Sequence, residues 1–141
     1  MTRSFAEHKR MLAPVKRGGD MSIKSVKLVG VCVRDQAAAL RFFTEKLGFK
    51  VRVNEPMGPD SRWIEVVPPG AETGLALWTP PGLEDRIGTF SQVVFKCADV
   101  RATYEELRKR GVKFTGEPKD QPGGVMAQFV DPDGNTFVLA T

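Results

Sequence analysis

The side chains that most often carry out chemistry are scarce in this chain of 141 residues, which holds one histidine, His8, and two cysteines, Cys32 and Cys97. A centre built on two or three histidines therefore cannot form within one chain. The cysteines lack CxxC spacing, so they read as buried free thiols rather than a metal knuckle or redox pair. Cys32 has no histidine nearby to activate it as a nucleophile. The run DPDGN at Asp131–Asn135 presents too few oxygens in register for a calcium loop and reads as a structural turn. What remains is a carboxylate, two amides, an amine and two indoles: Glu65, Gln92, Gln128, Lys96, Trp63 and Trp78. A carboxyl in apolar surroundings is raised toward neutrality and can act as a general base. Two indoles offer flat faces to a planar ligand, and a few amides and an amine can orient it.

The elements that must position these groups come as a duplication. An apolar run, Val26–Val33, leads to Asp35, a helical stretch Gln36–Leu47, Gly48 and a strand Phe49–Val53; Ser91–Cys97 leads in the same way to Asp99, a helical stretch Val100–Arg110, Gly111 and a strand Val112–Phe114. Asp35 and Asp99 stand 64 residues apart. An aspartate caps a helix start by accepting from orphan N–H groups, and glycine takes the left-handed position just past a helix end. Each half continues with two further strands, Arg62–Val67 and Gly74–Trp78, then Val125–Val130 and Thr136–Ala140, joined by the turns PPG and DPDGN. The plan is βαβββ twice, an α+β fold. The modules span about 23–79 and 89–141, with the Pro- and Gly-rich Thr79–Gly88 as a linker or lid.

Strand alternation assigns faces. Val29, Val31 and Val33, then Ile64 and Val66, then Leu75 and Leu77 belong under the first helix, leaving Leu28, Gly30, Cys32, Trp63, Glu65, Ala76 and Trp78 on the open face. In the second half Val93, Phe95, Cys97, Phe137 and Leu139 turn to the helix, leaving Gln92, Val94, Lys96, Thr136, Val138 and Ala140 opposite.

Composition limits the partners. With 41% apolar and 27% charged residues the chain reads as a globular domain. No apolar run approaches the roughly 20 residues of a membrane helix, and the first twenty residues lack a secretory core, so the expected location is cytoplasmic. The net charge is +4, but Arg3, Lys9, Arg10, Lys16 and Arg17 against Glu7 and Asp20 place most of it in residues 1–22, read as a flexible basic extension. The body, residues 23–141, is nearly neutral, and nucleic acid is not expected as a partner.

The segments VRD (Val33–Asp35), RFFTEKLGF (Arg41–Phe49), ADV (Ala98–Val100), LRKRGVKF (Leu107–Phe114) and FVDPDGNTFVL (Phe129–Leu139), in this order, resemble the vicinal-oxygen-chelate superfamily of glyoxalases, bleomycin-resistance proteins and extradiol dioxygenases. The resemblance runs from about Lys24 to Leu139. It implies paired modules whose curved sheets form a cupped cavity, in a homodimer. It also implies metal ligands at four places, which here hold Leu28, Ala76, Gln92 and Val138. A zinc site needs about three N, S or O ligands from the protein, so the expectation is a member without metal or other cofactor. The reading is a metal-independent binding protein, as in antibiotic resistance, holding an apolar or aromatic ligand between modules with Leu28, Trp63, Glu65, Trp78, Gln92, Lys96 and Gln128. The alternatives are a glyoxalase-like isomerase or lyase, or a dioxygenase-type enzyme, with Glu65 as general base or metal-site partner, and an interaction module with a closed cavity.

Overall fold

A computed structural model of the chain describes residues 22–141. The basic extension expected at residues 1–22 lies, apart from its last residue, outside the described residues. The first module contains β1 (Leu28–Val31), α1 (Gln36–Arg41), β2 (Lys50–Pro56), β3 (Arg62–Val67) and β4 (Gly74–Leu77). The second contains β5 (Phe90–Lys96), α2 (Val100–Lys109), β6 (Lys113–Phe114), β7 (Lys119–Gln121), β8 (Gly124–Val130) and β9 (Thr136–Ala140). The sheets have the same topology: β1-β4-β3-β2, with β1 parallel to β4, and β5-β9-β8-β6, with β5 parallel to β9. Strand β7, which pairs with β8, is an addition that the sequence reading did not contain.

The helix signals act as expected. Asp35 accepts from Ala38 N at 3.1 Å and Asp99 from Ala102 N at 3.0 Å. The first helix differs after Arg41, where Phe42–Lys46 widens into a π-type turn and Leu47 N bonds back to Phe42 O. The widening sets Phe42 and Phe43 side by side in the interior, their rings edge to face at 5.3 Å.

The helix-facing sides of both sheets share one core. Val31, Val66, Leu75 and Leu77 of the first sheet and Ala127, Phe129, Phe137 and Leu139 of the second belong to a single buried cluster with Phe42, Phe43 and Leu107. Phe43 meets Phe137 at 5.6 Å and Phe49 meets Phe95 at 5.4 Å across the module boundary. At the helix ends the duplication shows as a reciprocal pair: Lys46 Nζ donates to Arg110 O, and Arg110 Nη1 donates to Lys46 O. The modules thus pack through the helix-facing sides of their sheets, and the other face of each sheet is turned from the shared core.

Candidate functional site

This packing decides where the candidate residues lie. The aromatic core fills most of the space between the modules of one chain, and none of Leu28, Trp63, Glu65, Trp78, Gln92 and Gln128 lines the crevice that remains there. The reason is the Phe-rich run Arg41–Phe49, which supplies Phe42, Phe43 and Phe49 to that space. Leu28, Trp63, Glu65 and Trp78 fall on the outer face of the first sheet, and Gln92, Lys96 and Gln128 on the outer face of the second.

On the first face, Ala76 sits between Gly30 of β1 and Glu65 of β3. It is buried yet outside the core cluster, as an open-face residue covered by its neighbours should be. Trp63 and Trp78 meet edge to face with ring centroids 5.5 Å apart. Trp63 Nε1 donates to Glu65 Oε2 at 2.7 Å, and Arg52 Nε donates to Glu65 Oε1 at 2.8 Å. Arg52 is a residue the sequence reading missed. A bulge between Val51 and Val53 turns its guanidinium onto this face, where it also donates to Glu72 O and Lys27 O. The passage needs a bare backbone beneath it, because a Cβ on Gly74 would lie 2.6 Å from Val66 O and 2.9 Å from Arg52 Nη2. Nothing in the alternation KVRVN marks the bulge, so strand parity alone could not bring Arg52 here.

Glu65 is only 3% exposed. Burial by itself would raise its carboxyl, but the hydrogen bonds from Trp63 and Arg52, with the charges of Arg52 and Lys27, outweigh it and hold the group below the usual carboxylate range. The expectation of a raised, proton-accepting Glu65 is therefore corrected. Both oxygens already accept, and the carboxylate orients Trp63 rather than standing free as a base.

On the second face Gln92 has a φ of 68°, the one non-glycine residue with positive φ among those described. It lies in a break of register in β5, where Phe90 pairs with Thr136 and Val94 with Val138. Gln92 and Lys96 are both exposed. Gln128, opposite Val138, accepts from Thr115 Oγ1 at 3.1 Å and, with Met126 and Val138, lines a hollow of about 270 Å³.

The four places where the resemblance implies metal ligands can now be compared with their surroundings. Leu28 lies on edge strand β1, Ala76 and Val138 are buried aliphatic groups on the outer faces, and Gln92 alone carries a donor. Among the described residues no group of three His, Cys, Asp or Glu side chains could hold a metal ion. A single amide oxygen among three alkyl groups does not fit a resident divalent ion.

With the paired βαβββ units and their outer faces in view, the chain can be set beside known proteins. A model of the Glyoxalase/Bleomycin resistance protein/Dioxygenase superfamily matches residues 25–139. The chain belongs to this superfamily. Its superfamily relatives include YetH of Bacillus subtilis (strain 168), 42% identical over 117 residues, covering 83% of this chain and 98% of that protein. A superfamily member from Sphaerobacter thermophilus DSM 20745 superposes with a TM-score of 0.76 at 37% identity, over 84% of this chain and 97% of its own. TnmS3, described as an antibiotic binding protein from Streptomyces sp. CB03234, superposes with a TM-score of 0.73 at 38% identity, over 85% and 97%. No helix among the described residues is long and apolar enough to cross a membrane.

Proposed function

We propose that this superfamily member is a metal-independent small-molecule binding protein that holds an aromatic, antibiotic-like ligand against the outer face of its first sheet. The observation that carries the reading is the Trp63–Trp78 pair, with Trp63 held by the buried Glu65 and its part-buried partner Arg52, beside an alanine at a family ligand position. A rigid indole platform loses little freedom on binding, and each aromatic contact adds about 0.5–1.5 kcal/mol beyond the area it covers. The antibiotic binding protein TnmS3, similar over nearly its whole length, supports the same ligand class.

One such face is open to water. We infer that a second copy closes it, bringing its own Gln92, Lys96 and Gln128 over the indoles, so that the seven candidate residues meet only in a homodimer. Phe90 and Val94, 51% and 58% exposed on the edge strand β5, are the apolar contacts that such a lid needs.

The test is a screen of polycyclic aromatic antibiotics by tryptophan emission and melting temperature, run with an elemental analysis after incubation with Mn²⁺, Fe²⁺, Ni²⁺, Co²⁺ and Zn²⁺. Saturable quenching with a raised melting temperature, and no metal retained after removal of loosely bound ions, is the expected result. Retention near one ion per site, or a folded protein indifferent to every compound, would overturn the proposal.

A further inference from the structure

The duplication builds the seam between modules twice, and the two copies are closed differently. At the first, the DPDGN turn of the second module docks on the end of β1: Asn135 Nδ2 donates to Cys32 O at 2.9 Å, and Arg34 N donates to Asp133 Oδ2 at 2.9 Å. Beneath it Phe43 is fully buried. The counterpart, 64 residues on, replaces Phe43 with the smaller Leu107 and Val33 with Cys97, and its turn is Pro68-Pro69-Gly70-Ala71. Among the described residues no hydrogen bond joins this turn to β5 or α2. The space that Phe43 and the latch fill on one side is left on the other as a crevice of about 320 Å³.

Its walls are Leu47, Phe49, Phe95, Leu107, Phe129 and Leu139, and the exposed Ala71 and half-buried Thr103 also line it on the side reached by solvent. Phe49 and Phe95 stand edge to face at 5.4 Å, so the crevice presents ring edges and faces rather than alkyl groups alone. Lys96 borders it, but strand alternation turns its side chain to the outer face, away from Phe95 and Cys97. Among the described residues no ionised side chain thus points inward, and Cys97, a half-buried lining residue, is pushed up by burial and stays a neutral thiol. An apolar cavity of roughly 150 Å³ suffices to take up benzene, and a charged ligand here would lose its hydration without a partner.

We propose that this crevice, on the helix side and remote from the Trp63–Trp78 face, is a second binding site for one compact neutral hydrocarbon-like molecule of the size of a substituted single ring. It is independent of the antibiotic-binding reading, because it shares no side chain with that face.

Cys97 reports on it directly. In a Cys32→Ser variant of the full chain Cys97 is the single thiol, and its reaction with an aromatic disulfide reagent is followed as toluene is added. The rate should fall saturably, by about tenfold when toluene stands at roughly ten times its Kd, while tryptophan emission stays constant. Ala71→Trp, an exposed substitution on the solvent side of the crevice, should slow the reaction without toluene and remove the dependence. In the unsubstituted chain, methyl NMR should place the toluene shifts on Leu47, Leu107 and Leu139. A labelling rate indifferent to toluene up to its solubility, or shifts centred on Leu28 and Val138, would overturn the proposal.

Discussion

Glu65 illustrates how a single residue changes role once its neighbours are in place. A carboxylate with one oxygen on Trp63 Nε1 and the other on Arg52 Nε is an anchor for an indole. Its lowered carboxyl fixes the sign of the pH dependence. A group whose folded pKa lies below its unfolded value contributes stability that is present above the unfolded pKa and lost as pH falls through the folded one. Glu65→Gln should flatten the acid side of a plot of urea midpoint against pH. It should cost about 1.5–3 kcal/mol at neutral pH, less than a fully enclosed ion pair because Arg52 retains some access to water. Asp131 acts in the opposite sense: burial raises its carboxyl despite hydrogen bonds from Asn135 and Asp133, so its contribution fades as pH rises through its folded pKa. An acid limb as steep in Glu65→Gln as in the parent protein would refute the anchoring role. Gln92 offers a second check. A left-handed non-glycine residue costs about 1–2 kcal/mol, so Gln92→Gly should stabilise the fold by up to about 1 kcal/mol while weakening ligand binding; calorimetric unfolding and a fluorescence titration read the two effects separately.

At the scale of elements, the helix caps, the glycines after each helix and the face of nearly every strand residue could be read from the chain, because they depend on short-range chemistry and a period of two. Asp35 and Asp99 cap as expected, and Gly48 and Gly111 take φ of 78° and 93°. Two bulges could not be read, since no local signal separates KVRVN or SQVVF from a regular strand, yet they set the positions of Arg52 and Gln92. The DPDGN turn was readable as a turn, with Gly134 at φ 89°, but not its partners in the other module. Asn135 is buried and joins three segments: it accepts from Gly88 N and donates to Cys32 O and Asp131 Oδ2. Asn135→Ala takes away the partners of Asp131 Oδ2, the Cys32 carbonyl and Gly88 N, each worth about 1–3 kcal/mol where no other partner replaces it, while Asp131 Oδ1 keeps the backbone N–H groups of residues 133 and 135. Chemical denaturation should show a loss of about 3 kcal/mol, against under 1 kcal/mol for Lys46→Ala, a half-buried lysine whose ammonium bonds Arg110 O at the surface. Equal losses would mean that the seam is held by the aromatic core alone.

At the scale of the whole molecule, a duplicated sequence fixes two copies of one module but not which faces they turn toward each other. Both arrangements satisfy the same hydrophobic alternation, because each sheet has an apolar inner row and a mixed outer one; the aromatic excess in Arg41–Phe49 decides for packing through the inner rows. The consequence is that the indole platform of one chain and the amides of its second module lie on different sheets, each on the face turned from the shared core. If the ligand site is shared between copies, assembly and binding must fail together. Phe90→Asp with Val94→Lys places two charges on the exposed edge strand without entering the core. Light scattering should then show a monomer with unchanged secondary structure, and ligand affinity should fall at least about tenfold, equivalent to 1.4 kcal/mol, although Trp63, Glu65 and Trp78 are untouched. A monomeric double variant that bound with the parent affinity would confine the site to the first sheet of a single chain.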